Sequence, residues 1–105
     1  MKNTISRIID YAVKVAEPDK IFLFGSMANG TNNVYSDLDL LLVTDANFPL
    51  KKQIIEQIKN YAGELMLPID LLIYSEIELK NAASEKHSFL AGILSGGKLV
   101  YQKNM

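Results

Sequence analysis

The sequence contains no cysteine, only one histidine, and no apolar stretch that approaches the ~20 residues of a membrane span. Without cysteine there is no disulfide framework, no zinc–thiolate site and no cysteine nucleophile, which fits a reducing compartment. The first residues lead into an amphipathic pattern, whereas a signal peptide has an uninterrupted apolar core. We therefore expect a cytoplasmic protein with no membrane partner.

The chain also lacks an excess of positive charge. Eleven basic and twelve acidic residues give a net charge of −1, which excludes the basic footprint of a dedicated DNA-binding surface. A nucleotide or a transient RNA end remains allowed as substrate. With 105 residues, 49% of them hydrophobic, we expect residues 1–105 to form a single domain with one core.

Apolar periodicity predicts an α/β (α+β) domain, with a sheet of about four strands and three or so helices. We expect the first helix over residues 3–16 and a second that Pro49 opens, with Leu50, Ile54, Ile58 and Ala62 or Leu65 on its inner face. Residues 76–94 are helix-prone but interrupted. The predicted strands cover residues 21–24, 37–43, 69–74 and 98–101.

Acidic residues stand at the starts of two strongly apolar predicted strands. Asp37 and Asp39 lie two apart, so that side-chain alternation places both on one side of the strand. Two carboxylates held this close repel each other, and a divalent cation between them removes the repulsion. Magnesium binds one or two carboxylates together with phosphate oxygens, which suits this pair.

Asp70 repeats the pattern at the start of the next predicted strand. If the two strands are neighbours, three carboxylates meet, as a two-metal site requires. The Gly25–Ser26 turn after the first strand presents backbone N–H groups and a hydroxyl to a phosphate. Taken alone, an Asp-x-Asp pair is commonly a surface edge or turn; its order after Gly-Ser and before Asp70 favours a site.

Phe24-Gly25-Ser26 followed by Ser36-Asp37-Leu38-Asp39 resembles the signature of the DNA polymerase β-like nucleotidyltransferase superfamily, and the short length resembles its minimal nucleotidyltransferase branch. Residues 67–72 and 93–101 are similar to the branch's third-carboxylate strand and its closing helix–turn–strand. The resemblance implies a mixed β-sheet flanked by helices, the polymerase β-like nucleotidyltransferase fold. It also implies that Asp37, Asp39 and Asp70 are catalytic metal ligands, with Asp70 alternatively polarising the acceptor hydroxyl. It also implies nucleotide binding by Gly25, Ser26 and Ser36.

The implied activity is transfer of a nucleoside monophosphate, AMP from ATP, onto an acceptor hydroxyl, with Mg²⁺ as cofactor. The implied partner is a small helical HEPN-domain protein, a toxin for which many branch members act as antitoxins; a homo-oligomer is also allowed. The alternative is a non-catalytic antitoxin that neutralises such a partner by contact.

One departure bears on this alternative. Family members often carry arginine where this chain has Met27, Ala28 and Asn29, so that Lys98, Lys20 or a partner's arginine would have to supply the charge. The single histidine, His87, lies in a polar stretch and is interpreted as a solvated helix residue.

Overall fold

The computed structural model describes residues 2–25, 37–83 and 89–104. Within these ranges the chain forms four helices and four strands. In chain order they are α1 (Lys2–Ala16), β1 (Lys20–Phe24), β2 (Leu38–Val43), α2 (Phe48–Glu64), β3 (Ile69–Tyr74), α3 (Glu76–Ala83), α4 (Phe89–Gly96) and β4 (Lys98–Gln102). None of the described helices is both long enough and apolar enough to cross a membrane.

The strands form one mixed sheet in the order β3-β2-β1-β4. β1 is antiparallel to both of its neighbours, whereas β2 and β3 are parallel. A parallel pair needs a crossover connection, and α2 provides it. The predicted mixed four-stranded sheet flanked by helices is confirmed.

Apolar side chains cover both faces of the sheet. On the first face, alternate residues of β2 (Leu38, Leu40, Leu42) pack with α1 and α2, which contribute mainly Ile8 and Ile58. On the second face, the intervening residues Leu41 and Val43 pack with α3 and α4 through Leu79, Leu90 and Ile93. Because strand side chains alternate, a central strand buried on both faces reads as a continuous apolar run.

The helix α2 shows where sequence periodicity holds and where it fails. Ile54, Ile58 and Ala62 are buried as predicted. Leu50 is 44% exposed, so its placement on the inner face was wrong. It lies in the first turn, where its amide donates to Asn47 Oδ1 at 2.9 Å, and this cap starts the helix before it reaches the core.

A close approach joins the end of α4 to the sheet. The amide of Gly97 donates to the Ile93 carbonyl oxygen at 2.7 Å. A Cβ atom at Gly97 would lie 2.5 Å from that oxygen and 3.2 Å from the carbonyl oxygen of Leu23 in β1. Both neighbours are backbone atoms, so that neither can rotate away.

We expect Gly97→Ala to lower the free energy of unfolding by about 1–3 kcal/mol, the usual cost of overpacking. The matched control is Gly92→Ala in α4, where a Cβ atom meets nothing within 4 Å. That change should raise stability by about 0.5–1 kcal/mol because alanine favours a helix. Urea unfolding of both variants measures the difference, and equal stabilities would contradict the tight approach.

Candidate functional site

The parallel register of β2 and β3 brings two acids side by side. Asp39 and Asp70 are each the second residue of their strand and are direct partners in the ladder. The amide of Leu38 donates to the Pro68 carbonyl oxygen at 2.9 Å, which extends the pairing to the residue before β3. Asp70 is therefore beside Asp39, as the sequence argument required of neighbouring strands.

The environment of Asp39 disfavours its charged form. Partial burial raises the pKa of the Asp39 carboxyl above its ordinary value of 3.8, and the negative charge of Asp70 raises the pKa further. A side-chain hydrogen bond with Asp70, and then the charge of Asp37, act in the same direction. All four influences act against the negative charge on Asp39, and a cation bound at this carboxylate would oppose them.

Asp37 is more loosely associated with this pair. It is exposed and precedes β2, which begins at Leu38 and not at Asp37 as predicted. Its charge is the smallest of the four influences on Asp39. In the described parts of the chain, no three acid, histidine or cysteine side chains form a group that could hold a metal ion. The structure thus brings Asp39 and Asp70 together, whereas Asp37 is exposed and lies before the start of β2.

Gly25 directly follows β1 and lies against the Asp39 side chain. Its φ of +76° is in the region that side chains disfavour. A Cβ atom at Gly25 would overlap Asp39 Oδ2 and lie 3.2 Å from Asp39 Cγ. The turn therefore requires glycine both for its backbone conformation and for the space that the carboxylate occupies.

A cavity of about 480 Å³ opens at this end of the sheet. It has an apolar wall from β1 and β3, and its polar groups are the two paired acids and one lysine. The described residues that line it are Phe24, Gly25, Asp39, Lys59, Asp70, Leu71 and Leu72. It combines a charged end with apolar surface, as nucleotide-sized ligands require.

The lysines differ from the sequence expectation. Lys20 is at the opposite end of β1, ~13 Å along the strand from Phe24, and its Nζ is 3.5 Å from Glu76 Oε1. Lys98 begins β4 opposite Leu23 and is not among the described residues that line the cavity. Lys59 of α2 does line the cavity. It was not predicted, because no local sequence pattern relates a helix residue to acids on two strands.

Several predicted site residues lie outside the described ranges. They are Ser26, Met27, Ala28, Asn29, Ser36 and His87. Their expected roles stay predictions.

The oxygen donors present fit a hard divalent cation. Asp39 and Asp70 supply carboxylate oxygens from neighbouring positions of two strands, and burial and the charge of Asp70 both raise the pKa of Asp39. Magnesium is typically held by one or two carboxylates, with phosphate oxygens and water completing its octahedron. A closed cage of three protein acids is therefore not required.

Two solved structures share the fold. A provisionally assigned nucleotidyltransferase from Sulfolobus solfataricus is similar with a TM-score of 0.63 and 17% identity, covering 98% of this chain and 81% of its own. A toxin–antitoxin crystal structure with AMP-PNP gives a TM-score of 0.58 and 20% identity, over 93% and 73% of the two chains. No curated protein matches the sequence significantly.

The family model described as polymerase beta, nucleotidyltransferase matches residues 6–105. The match includes the turn at Gly25, both strands that carry the paired acids, and α2 between those strands. The chain belongs to the polymerase beta nucleotidyltransferase family.

Proposed function

We propose that this chain is a magnesium-dependent nucleotidyltransferase that moves AMP from ATP onto a hydroxyl of a partner protein. The observation that carries the proposal is the pairing of Asp39 with Asp70 beside the Gly25 turn, in a cavity large enough for a nucleotide. A structural fold alone would not support an activity, because one fold hosts many functions. The acids and their cavity are what support it.

In the proposed reaction the acceptor hydroxyl oxygen forms a bond to the α-phosphorus of ATP. The bond from that phosphorus to the bridging oxygen breaks, and pyrophosphate leaves. Asp70 accepts the hydroxyl proton, while Asp39 stays ionised and positions the reactants. Gly25, with Ser26 and Ser36 further along the chain, holds the phosphates. Magnesium bound by Asp39 and Asp70, with Asp37, would neutralise phosphate charge and make the acceptor hydroxyl more acidic.

The acceptor in this proposal is a small helical HEPN-domain toxin. A domain of 105 residues has little surface for an acceptor site of its own, so a larger partner is favoured. The toxin–antitoxin complex among the structural neighbours supports a partner of this class. The same neighbour supports the alternative, a non-catalytic antitoxin that acts by contact.

Incubation with α-labelled ATP, magnesium and a HEPN-domain protein tests the proposal. We expect label transfer to the partner, and a reduction of at least ~100-fold in Asp39→Asn and Asp70→Asn, because general-base and positioning groups contribute on this scale. The control is Asp45→Asn, an exposed acid just beyond the other end of β2, which should transfer normally. A tight complex without transfer, unchanged in both acid variants, would instead establish the contact antitoxin.

Without bound metal, the ionised Asp39 carboxylate should lower the free energy of unfolding. Because the pKa of Asp39 is raised in the folded state, the folded protein holds the proton more firmly than the unfolded chain does. Stability therefore falls as pH rises from 3.8 through the folded-state pKa. We expect Asp39→Asn to unfold at higher urea than the wild type at neutral pH, with a difference that shrinks as the pH falls towards 3.8.

Added magnesium should reduce the difference in stability between Asp39→Asn and the wild type, because a ligand of the folded state stabilises only the protein that binds it. Urea unfolding with and without magnesium measures both effects. If Asp39→Asn were less stable than the wild type at neutral pH without metal, the ionised Asp39 carboxylate would not be destabilising, which would contradict this prediction.

Gly25→Ala should impair the site more than the fold. The added Cβ displaces the Asp39 carboxylate and disfavours the positive φ, at about 1–2 kcal/mol for the backbone. We expect magnesium–ATP binding to be lost at temperatures at which circular dichroism still shows folded protein. Gly96→Ala, where a Cβ atom meets nothing within 4 Å, is the matched control and should bind normally.

A further inference from the structure

Lys59 lines two cavities, one of which is also lined by the paired acids. It lies in the second half of α2 and lines the 480 Å³ cavity together with Asp39 and Asp70. It also lines a neighbouring cavity of about 550 Å³, formed with Gly63 and the segment from Met66 to Ile69 that leads into β3. Its side chain therefore borders the acids from the connecting helix, on the side of β3.

No protein carboxylate in the described ranges forms an ion pair with Lys59. Two other lysines near the sheet behave differently: Lys20 pairs with Glu76 at 3.5 Å and Lys51 with Glu78 at 3.4 Å. One turn further along α2 stands Gly63, where an added Cβ atom would meet nothing within 4 Å. The ammonium of Lys59 is thus exposed beside open space, with its charge available to a ligand.

A triphosphate in this cavity needs positive charge that the neighbouring sequence does not provide. Asp39 and Asp70 are both acidic, and the stretch from Ser26 to Gly30 after the Gly25 turn contains no lysine or arginine. Lys20 is engaged at the far end of β1, and Lys98 does not line the cavity. Lys59 is the one cation among the described lining residues.

We propose that Lys59 binds the triphosphate of the nucleotide and supplies the positive charge that the sequence from Ser26 to Gly30 lacks. The inference rests on the proposed function. The Lys59 ammonium donates hydrogen bonds to phosphate oxygens, and it stabilises the negative charge that develops on pyrophosphate when the phosphorus–oxygen bond breaks. Lysine suits this role because its ammonium is a compact charge on a flexible stem and can follow the moving phosphates.

Calorimetric titration with three probes, each in the presence of magnesium, separates charge from packing. The probes are ATP, inorganic tripolyphosphate and adenosine. We expect Lys59→Met to weaken ATP and tripolyphosphate binding about tenfold or more, the usual effect of losing a hydrogen bond to a charged group. Adenosine binding should not change, and Lys59→Arg should retain most of the affinity.

The matched control is Lys52→Met. Lys52 is also exposed and lies on the same side of α2, two turns and roughly 10 Å nearer the helix start. A general effect of surface charge would appear in both variants, whereas a phosphate contact appears only at Lys59. The salt dependence of tripolyphosphate binding should likewise become shallower only in Lys59→Met.

The outcomes distinguish this inference from the proposed function. If the wild type binds ATP and Lys59→Met binds it equally well, the role of Lys59 is overturned and the proposed function stands. If Lys59→Met weakens adenosine as much as ATP, Lys59 acts by packing and the inference is again overturned. If the wild type binds neither ATP nor tripolyphosphate with magnesium, the proposed function fails and the inference fails with it.

Discussion

The parallel register of β2 and β3 is the constraint on which the site depends. A shift of one residue would place Asp70 opposite Leu38 or Leu40 and turn its side chain to the other face. The register is held by apolar burial: the residues that alternate with Asp39 and Asp70 pack into the core under α1 and α2. The hydrophobic core therefore determines where the two carboxylates lie, although neither acid belongs to it.

The same arrangement explains why one face of the sheet is apolar along only part of its length. Leu41 and Val43 are buried beneath α3 and α4, whereas Asp39, on the same face of β2, is only half-buried. The helices α3 and α4 do not bury the end of the sheet that carries Asp39 and Asp70, and the cavity lies at that end. The carboxyl of Asp39 therefore has a raised pKa although it remains accessible to solvent.

The sequence predicted the strands well because their apolar runs are bounded by glycine, proline and acids. The predicted strand over residues 69–74 coincides with β3, and α3 and the first part of α4 lie in the helix-prone segment 76–94. Asp39 and Asp70 could be paired only by assuming that their strands are neighbours, since strand order is a property of the whole sheet. Lys59 could not be found at all, because its place depends on how α2 packs across β3.

Leu50 illustrates the other limit. Its helical spacing from Ile54 is correct, but periodicity indicates a direction around the helix and not how far the core extends along it. The role of Asp37 stays a prediction: it was drawn from strand alternation, and Asp37 lies one residue before β2 begins.

The crossover from β2 through α2 to β3 carries Asp39, Lys59 and Asp70 on one continuous stretch of chain, residues 38–74. Of the described charged residues that line the cavity, none comes from α3, α4 or β4. The three charged lining residues can therefore be kept together when the chain order is changed. If new termini were opened between α3 and α4, Asp39, Lys59 and Asp70 would stay on one uninterrupted segment with α2. A circular permutant of that kind keeps Asp39, Lys59 and Asp70 in one segment, and of the described lining residues only Phe24 and Gly25 lie outside it.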